Sequence, residues 1–196
     1  MSKHLFHSLI AAIFLAAFLT DLPRAGARLN REHVVKAAMI RNFAQFTRWP
    51  QGAFNGHPER DLTVCLMGDD SLLESFSPIR GKKVSGRAID LRRVENISGL
   101  EGCNLLFVDK TSRTRMDRLM DSLQGKPVLT IGETDRFTRA GGIITFYLKN
   151  GKIRFKINRD AALRKGLHFS ANLLELATIV ETPTGSENMN ETSKHQ

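Results

Sequence analysis

The sequence predicts an α/β fold: a mainly parallel sheet flanked by helices, with a C-terminal antiparallel hairpin at its edge. Three observations support this prediction: short strands that are apolar at nearly every residue, helical segments between them, and a last pair of strands joined by Asn150-Gly151. Near-continuous apolar strands are typical of parallel sheets covered on both faces. Asn-Gly is the strongest signal for a two-residue hairpin turn, and it places the hairpin at about residues 142–157.

Residues 1–27 have the organisation of a secretory signal peptide. Lys3 precedes an apolar run of 11 residues from Leu9 to Leu19, and Ala25-Gly26-Ala27 provides an A-x-A cleavage site. The run is well short of the ~20 residues that a membrane-spanning helix needs. We therefore predict a cleaved leader, rather than an uncleaved anchor, and a mature protein without a membrane span that works outside the cytoplasm.

The mature chain has the length of one domain. We assign residues 28–181 to this domain, and the polar, non-periodic residues 182–196 to a disordered tail. Without the leader, 27 basic and 19 acidic side chains leave a net charge of +8. In the cytoplasm this charge would suggest nucleic acid as a partner, but export argues against it. In an exported protein the charge favours an anionic membrane surface or an acidic partner, or it is a solvated basic surface without a partner.

The first predicted helix spans residues 31–49, after a possible N-cap at Asn30 and before the helix-ending Pro50. Its apolar residues recur at three- and four-residue spacing: Val34, Val35, Ala38, Met39, Phe43 and Phe46. They can serve the core or a homodimer interface, and the sequence leaves both open.

The remaining elements follow in alternation. Apolar runs predict strands at residues 62–67, 104–108 and 127–131, and a basic stretch from Arg80 to Arg93 contains a further predicted strand at residues 87–93. Helices are predicted at residues 71–76, 113–123 and 135–140. After the hairpin, Asn158 or Asp160 can cap a helix that starts near Ala161. A last helix is predicted over residues 169–180.

The hairpin has one apolar and one basic face. Pairing outward from Asn150-Gly151 places Lys149 opposite Lys152, Tyr147 opposite Arg154 and Thr145 opposite Lys156, with the apolar residues on the other face. The basic face can meet a carboxylate-rich partner or a lipid headgroup. Alternatively, its lysines only protect the sheet edge from aggregation.

Acidic residues at strand ends resemble a receiver-domain site. Asp69, Asp70 and Asp109 follow strands, and Thr130 lies in another strand. The lysine that a receiver needs is missing from its place, since Lys149 lies at a hairpin turn, and export removes the phosphodonor. We therefore interpret these acids as helix caps and strand ends.

No pattern in the sequence indicates catalysis, a metal or a cofactor. There is no G-x-S-x-G, H-E-x-x-H or C-x-x-C motif, and His168 is isolated. Gly141-Gly142 precedes a strand, so it is not a phosphate-binding turn. We predict a protein that is not an enzyme.

The chain has two cysteines, Cys65 and Cys103. An even number of cysteines in an oxidising compartment favours one disulfide over two buried thiols. A bridge would close a loop of about 38 residues and contribute a few kcal/mol.

Several segments together resemble the YfiR family of exported proteins. They are VKAAMIRNFAQFTRWP at residues 35–50, CLMGDD at 65–70, CNLLFV at 103–108, AGGIITF at 140–146 and KIRFKIN at 152–158. The resemblance covers residues 31–180. It implies a periplasmic repressor without enzymatic activity, which binds the periplasmic region of an inner-membrane diguanylate cyclase of the YfiN type and lowers cyclic-di-GMP and biofilm formation.

The resemblance also implies a redox-linked disulfide at positions 65 and 103. Some family members have a second cysteine pair near the glycine-rich hairpin, which this chain lacks. The alternative function is a periplasmic small-ligand or redox sensor that acts on another membrane receptor. For ligand or partner contacts we select five polar residues: Arg154, Asn158, His168, Tyr147 and Lys156.

Overall fold

A computed structural model describes residues 25–54 and 59–181 of the chain. Residues 1–24 of the predicted leader and the predicted tail, residues 182–196, lie outside the described residues. No helix within the described ranges combines the length and the apolar character that crossing a membrane would need.

The first helix, α1, spans Ala25–Gln45, so the prediction that it continues to residue 49 is wrong. Thr47–Arg48 instead form a short strand, β1, paired antiparallel with β9 (His168–Phe169). The Thr47 hydroxyl donates a hydrogen bond to the Phe43 carbonyl at 2.7 Å. Backbone partners that are distant in sequence thus end the helix four residues early.

Between residues 62 and 163 the elements alternate as predicted, with small differences at their ends and one additional short strand at Lys83–Val84. The remaining helices are α2 (Leu72–Phe76), α3 (Met116–Ser122), α4 (Asp135–Arg139), α5 (Arg159–Leu163) and α6 (Ala171–Glu175). The remaining strands are β2 (Leu62–Met67), β3 (Lys83–Val84), β4 (Arg87–Arg93), β5 (Leu105–Val108), β6 (Leu129–Gly132), β7 (Ile144–Lys149), β8 (Lys152–Asn158) and β10 (Thr178–Val180).

The main sheet has the strand order β10-β8-β7-β6-β5-β2-β4-β3. Strands β4, β2, β5, β6 and β7 run parallel, which confirms the predicted mainly parallel sheet. The predicted hairpin is also confirmed: β7 pairs with β8 in the expected register, from Lys149 opposite Lys152 to Ile144 opposite Ile157.

The C-terminal segment corrects the prediction of one helix over residues 169–180. Only Ala171–Glu175 is helical, and Thr178–Val180 form β10, which pairs parallel with β8 and becomes the outermost strand of the hairpin side. Thr178, Ile179 and Val180 are β-branched and therefore favour strand geometry. The open edge of β8 supplies their hydrogen-bonding partners.

Apolar residues cover both faces of the sheet. On one face, Phe43 of α1 packs against Phe146 and Phe155, with ring centroids 5.6 and 4.7 Å apart. On the other face, a second cluster includes Leu119 of α3, Phe137 of α4 and the two cysteines. This two-sided burial explains why the central strands are apolar throughout.

Gly142→Ala is expected to lower the free energy of unfolding by about 2 kcal/mol, in the range typical of overpacking. A Cβ atom at Gly142 would overlap the ring of Phe137, a residue of α4 whose side chain is buried. Gly52→Ala is the matched control, because nothing lies within 4 Å of its Cβ position. Urea unfolding measures both variants, and equal stability of the two would contradict the packing argument.

Candidate functional site

A charged cluster lies at the carboxyl edge of the parallel sheet. Asp109 directly follows β5 and Glu133 directly follows β6, and these two strands are neighbours. Helix α1 lies against this edge and contributes His33 and Lys36, which are one helical turn apart. In parallel sheets this edge is where functional side chains usually gather, because the strand ends and their loops converge there.

The side chains of this cluster are engaged with one another. His33 Nε2 lies 3.1 Å from Asp109 Oδ1, and the Thr111 amide and hydroxyl donate to Asp109 Oδ2 at 2.9 and 2.5 Å. Lys36 Nζ pairs with both Glu133 and Glu32. The exposed fractions of the Asp109, Lys36 and Glu133 side chains are 0%, 4% and 4%.

Burial sets the electrostatics of the two carboxyl groups. Loss of hydration, together with the neighbouring Asp109, raises the pKa of Glu133 to about 7. Burial alone would also raise the pKa of Asp109, but hydrogen bonds from His33, Glu133 and Thr111 outweigh it and hold this pKa far below its usual range. Below about pH 7 the proton of this pair therefore resides on Glu133, while Asp109 stays ionised.

Three side chains of this cluster have atoms of the kind that bind metal ions. One ligand atom each from His33, Asp109 and Glu133 lies within 4.8 Å of the others. The ammonium of Lys36 already balances Glu133, and the backbone amide of Lys110 donates to Glu133 Oε2 at 2.9 Å. These contacts suit a charge-compensated network that holds α1 on the sheet better than they suit a cation site.

Sequence reasoning found only part of this cluster. It noted Asp109 as an acid at a strand end, but it did not select His33, Lys36 or Glu133. The cluster has no motif, since its pairs are 76 and 97 residues apart and meet only through the fold. The available signal was His33 and Lys36 on one face of a helix, together with acids after two strands.

A second candidate site is a groove of about 1100 Å³ beside the β1–β9 pair. Its walls are mainly aromatic and cationic: Phe46, Arg48, Trp49, Phe54, Arg87, His168 and Phe169. Phe46 is 41% exposed, and Trp49 Nε1 is buried without a hydrogen-bond partner among the described residues. The groove could accommodate a flat, apolar or anionic group.

The structure separates the five polar residues that the sequence selected. His168 lines the groove, and the other four do not. Arg154 is exposed on the hairpin, where the Lys156 ammonium lies 5.2 Å from the Tyr147 ring centroid. Asn158 is buried, and its side chain accepts a hydrogen bond from the Ala161 amide at 2.9 Å, so it caps α5 as the sequence suggested.

The disulfide expected from the cysteine count is present. Cys65 of β2 is bonded to Cys103, which precedes β5, with Cα atoms 5.8 Å apart. Both residues are buried, and the guanidinium of Arg92 lies 3.5 and 3.3 Å from the two sulfur atoms. The bond ties β2 to the residues just before its parallel neighbour β5, within the second apolar cluster.

The protein is expected to lose stability as the pH rises from about 4.5 to about 7. Glu133 has an ordinary pKa of 4.5 and a folded-state pKa of about 7, so in this window the folded chain holds a proton that the unfolded chain has released. The slope reaches at most about 1.4 kcal/mol per pH unit. Asp109, whose pKa is lowered, loses its contribution only below its ordinary value of 3.8.

Urea unfolding at pH 5, 6 and 7 measures this slope. Glu133→Gln should flatten it, whereas Glu175→Gln, at an exposed position of α6, should leave it unchanged. A slope that persists in the Glu133 variant would show that another group causes it.

Comparison with known proteins gives a family and a fold. A conserved domain protein from Vibrio cholerae O1 biovar eltor is similar to this chain in structure, with a TM-score of 0.52 and 11% identity over 75% of this chain and 59% of that one. A second similarity, with a TM-score of 0.45 and 11% identity, is to an ABC domain in complex with L-Trp from Streptococcus pneumonia, over 71% of this chain and 60% of that one.

This chain thus spans less than two thirds of the length of either protein, and the first similarity supports the α/β fold alone. The family comparison is more specific. The model of the YfiR/HmsC-like family matches residues 33–178, which is most of the chain and nearly all of its described domain. The protein therefore belongs to the YfiR/HmsC-like family.

Proposed function

We propose that the protein is an exported inhibitor of a membrane-bound diguanylate cyclase, whose periplasmic region it binds. The observation that carries this proposal is the family match over residues 33–178. Membership in a YfiR/HmsC-like family supports a periplasmic, non-catalytic regulator of cyclic-di-GMP signalling. The cyclase as direct partner and the cleaved leader are the finer parts of the proposal.

Inhibition requires differential binding. The protein lowers cyclase activity only if it binds the inactive receptor state more tightly than the active state. A tenfold preference corresponds to about 1.4 kcal/mol. The buried network at α1 and the disulfide favour a rigid binding surface, because they tie α1 to the sheet edge and β2 to the start of β5.

Deletion of the gene is expected to raise cellular cyclic-di-GMP and biofilm formation, measured by mass spectrometry and by surface staining. The full chain should restore both, whereas a matched chain that starts at Arg28 behind a new initiator Met should not, because it would stay in the cytoplasm. Unchanged cyclic-di-GMP after deletion would refute the cyclase proposal. Complementation by the leaderless chain would refute export.

The groove beside β1 and β9 favours a second candidate function, that of a small-ligand sensor. Its aromatic walls, together with Arg48 and His168, provide apolar surface and hydrogen-bond donors. A ligand at a hundredfold excess over its Kd would stabilise the fold by about 2.7 kcal/mol. A thermal-shift panel of metabolites tests this candidate with Phe46→Ser as control, since that variant should lose any shift arising in the groove.

A further inference from the structure

The β7–β8 hairpin carries a row of positive charges on one face. Its members, which we call the hairpin cationic face, are Lys149, Lys152, Arg154 and Lys156. Lys149 and Lys152 are directly opposite each other, an arrangement that destabilises a sheet when nothing compensates it. Among the ion pairs of the described residues, none includes a member of this face.

Helix α4 extends this positive surface. The hydroxyl of Thr138 in α4 hydrogen-bonds that of Thr145 in β7 at 2.9 Å, so the helix packs on the same side of the sheet as the cationic face. Arg136 and Arg139 of α4 are exposed, whereas the helix has one exposed carboxylate, Asp135. The hairpin and the helix together present six cations.

An amphipathic ring lies within this surface. The Tyr147 ring lies under Lys156 and hydrogen-bonds Thr178 of β10 through its hydroxyl at 3.1 Å. Leu148 at the hairpin tip has 64% of its surface exposed to water, but it pairs with Ile153 and lies on the opposite face of the sheet. Long cationic side chains beside an amphipathic ring are residue types typical of membrane interfaces, where phosphates meet acyl chains.

We propose that the hairpin cationic face binds anionic phospholipid headgroups and holds the protein on the membrane surface. Lysine is depleted in protein–protein interfaces, which argues against an acidic protein as the main occupant of a face with three lysines. Lipid phosphates suit these long side chains, because each ammonium can reach a headgroup while its methylene stem stays at the interface. This inference goes beyond the proposed function and does not depend on which membrane protein is the partner.

The test is co-sedimentation of the purified mature protein with vesicles of phosphatidylcholine alone or with added phosphatidylglycerol. Binding is expected only with phosphatidylglycerol, and it should weaken as salt is raised from 0.05 to 0.5 M. Each basic residue at an anionic surface contributes roughly a fivefold change in affinity. The double variant Lys149→Glu/Lys152→Glu should therefore bind at least about 25-fold more weakly.

The matched control is Lys82→Glu/Lys83→Glu, which changes two exposed lysines at the opposite end of the sheet. It has the same net charge as the hairpin variant and should retain most of the binding. Equal losses in the two variants would show that net charge, not this face, governs binding. If the wild-type protein does not bind phosphatidylglycerol vesicles, the proposal is overturned, and an acidic protein remains as the occupant of this face.

Leu148→Ser tests, at constant charge, which face of the hairpin meets the lipid. Leu148 lies on the face opposite the cations, so the affinity for phosphatidylglycerol vesicles should be unchanged. A loss as large as that of the lysine variant would show that the apolar face meets the membrane and would overturn the proposal. Thermal unfolding of every variant verifies that the fold is intact, since the substituted side chains are exposed.

Discussion

Lys36→Met is expected to lower the free energy of unfolding at pH 7 by about 3–5 kcal/mol, the cost of breaking a buried ion pair from one side. The ammonium of Lys36 contacts both Glu133 and Glu32, and the Lys36 side chain is 4% exposed. Without it, Glu133 loses its nearest cation and must either stay charged without a partner or take up a proton. Urea unfolding measures the loss, which is large compared with the 5–15 kcal/mol of a typical domain.

The pH dependence of this loss identifies its cause. The pKa of Glu133 is already raised to about 7, and removal of Lys36 should raise it further. Above pH 7 Glu133 of the wild type ionises, whereas that of the variant keeps its proton to a higher pH, so Lys36→Met should cost more at pH 8.5 than at pH 6. The double variant Lys36→Met/Glu133→Gln should regain part of the stability, because it removes the unpaired charge.

Lys110→Met is the matched control for the buried lysine. Lys110 is also next to Glu133, but it contacts that carboxylate through its backbone amide and its residue is exposed. We expect a change within about 0.5 kcal/mol for this substitution. A comparable loss in both variants would contradict the assignment of Lys36 as the charge that compensates the cluster.

Removal of the disulfide by Cys65→Ala/Cys103→Ala is expected to lower the free energy of unfolding by about 4 kcal/mol. The bond joins residues 38 positions apart, and the loop-closure entropy of the unfolded chain then gives this magnitude. Loss of buried sulfur contacts adds to it, since Cys65 is 0% and Cys103 is 6% exposed. Urea unfolding under non-reducing conditions measures the difference from the wild type.

Reductant supplies the control for this prediction. Dithiothreitol should shift the urea midpoint of the wild type towards that of the double variant, and it should leave the variant unchanged. Burial of both sulfur atoms should make reduction of the folded protein slow. Once thiol titration verifies complete reduction, a wild-type midpoint that is the same with and without reductant would show that the bond does not stabilise the fold.

Local patterns were sufficient for most strands and for the hairpin. Asn150-Gly151 and the alternation on both sides of it predicted the β7–β8 register, since a two-residue turn leaves only one pairing. The apolar run at residues 62–67 and the strand predicted within the basic stretch, residues 87–93, gave the bounds of β2 and β4. The cysteine count, together with the predicted compartment, led to the observed disulfide.

The end of α1 and the strand β10 depended on partners far away in the chain. Residues 46–49 continue the helical pattern, yet Thr47 and Arg48 pair with residues 169 and 168. Residues 169–180 have a helical apolar pattern, yet Thr178–Val180 pair with the open edge of β8. In both places a sheet contact outweighs a weak local preference, which the sequence alone does not reveal.

The candidate sites show most clearly the difference between what local pattern predicts and what distant contacts decide. The charges of the hairpin cationic face follow from the chain order, because adjacent residues on a strand alternate between its two faces. The buried network of His33, Lys36, Asp109 and Glu133 does not, because it exists only where α1 crosses the ends of β5 and β6. Sequence therefore specified the elements and their exposed faces. Tertiary structure decided which charges were buried together, since burial and proximity, not residue identity, set their pairing and their pKa.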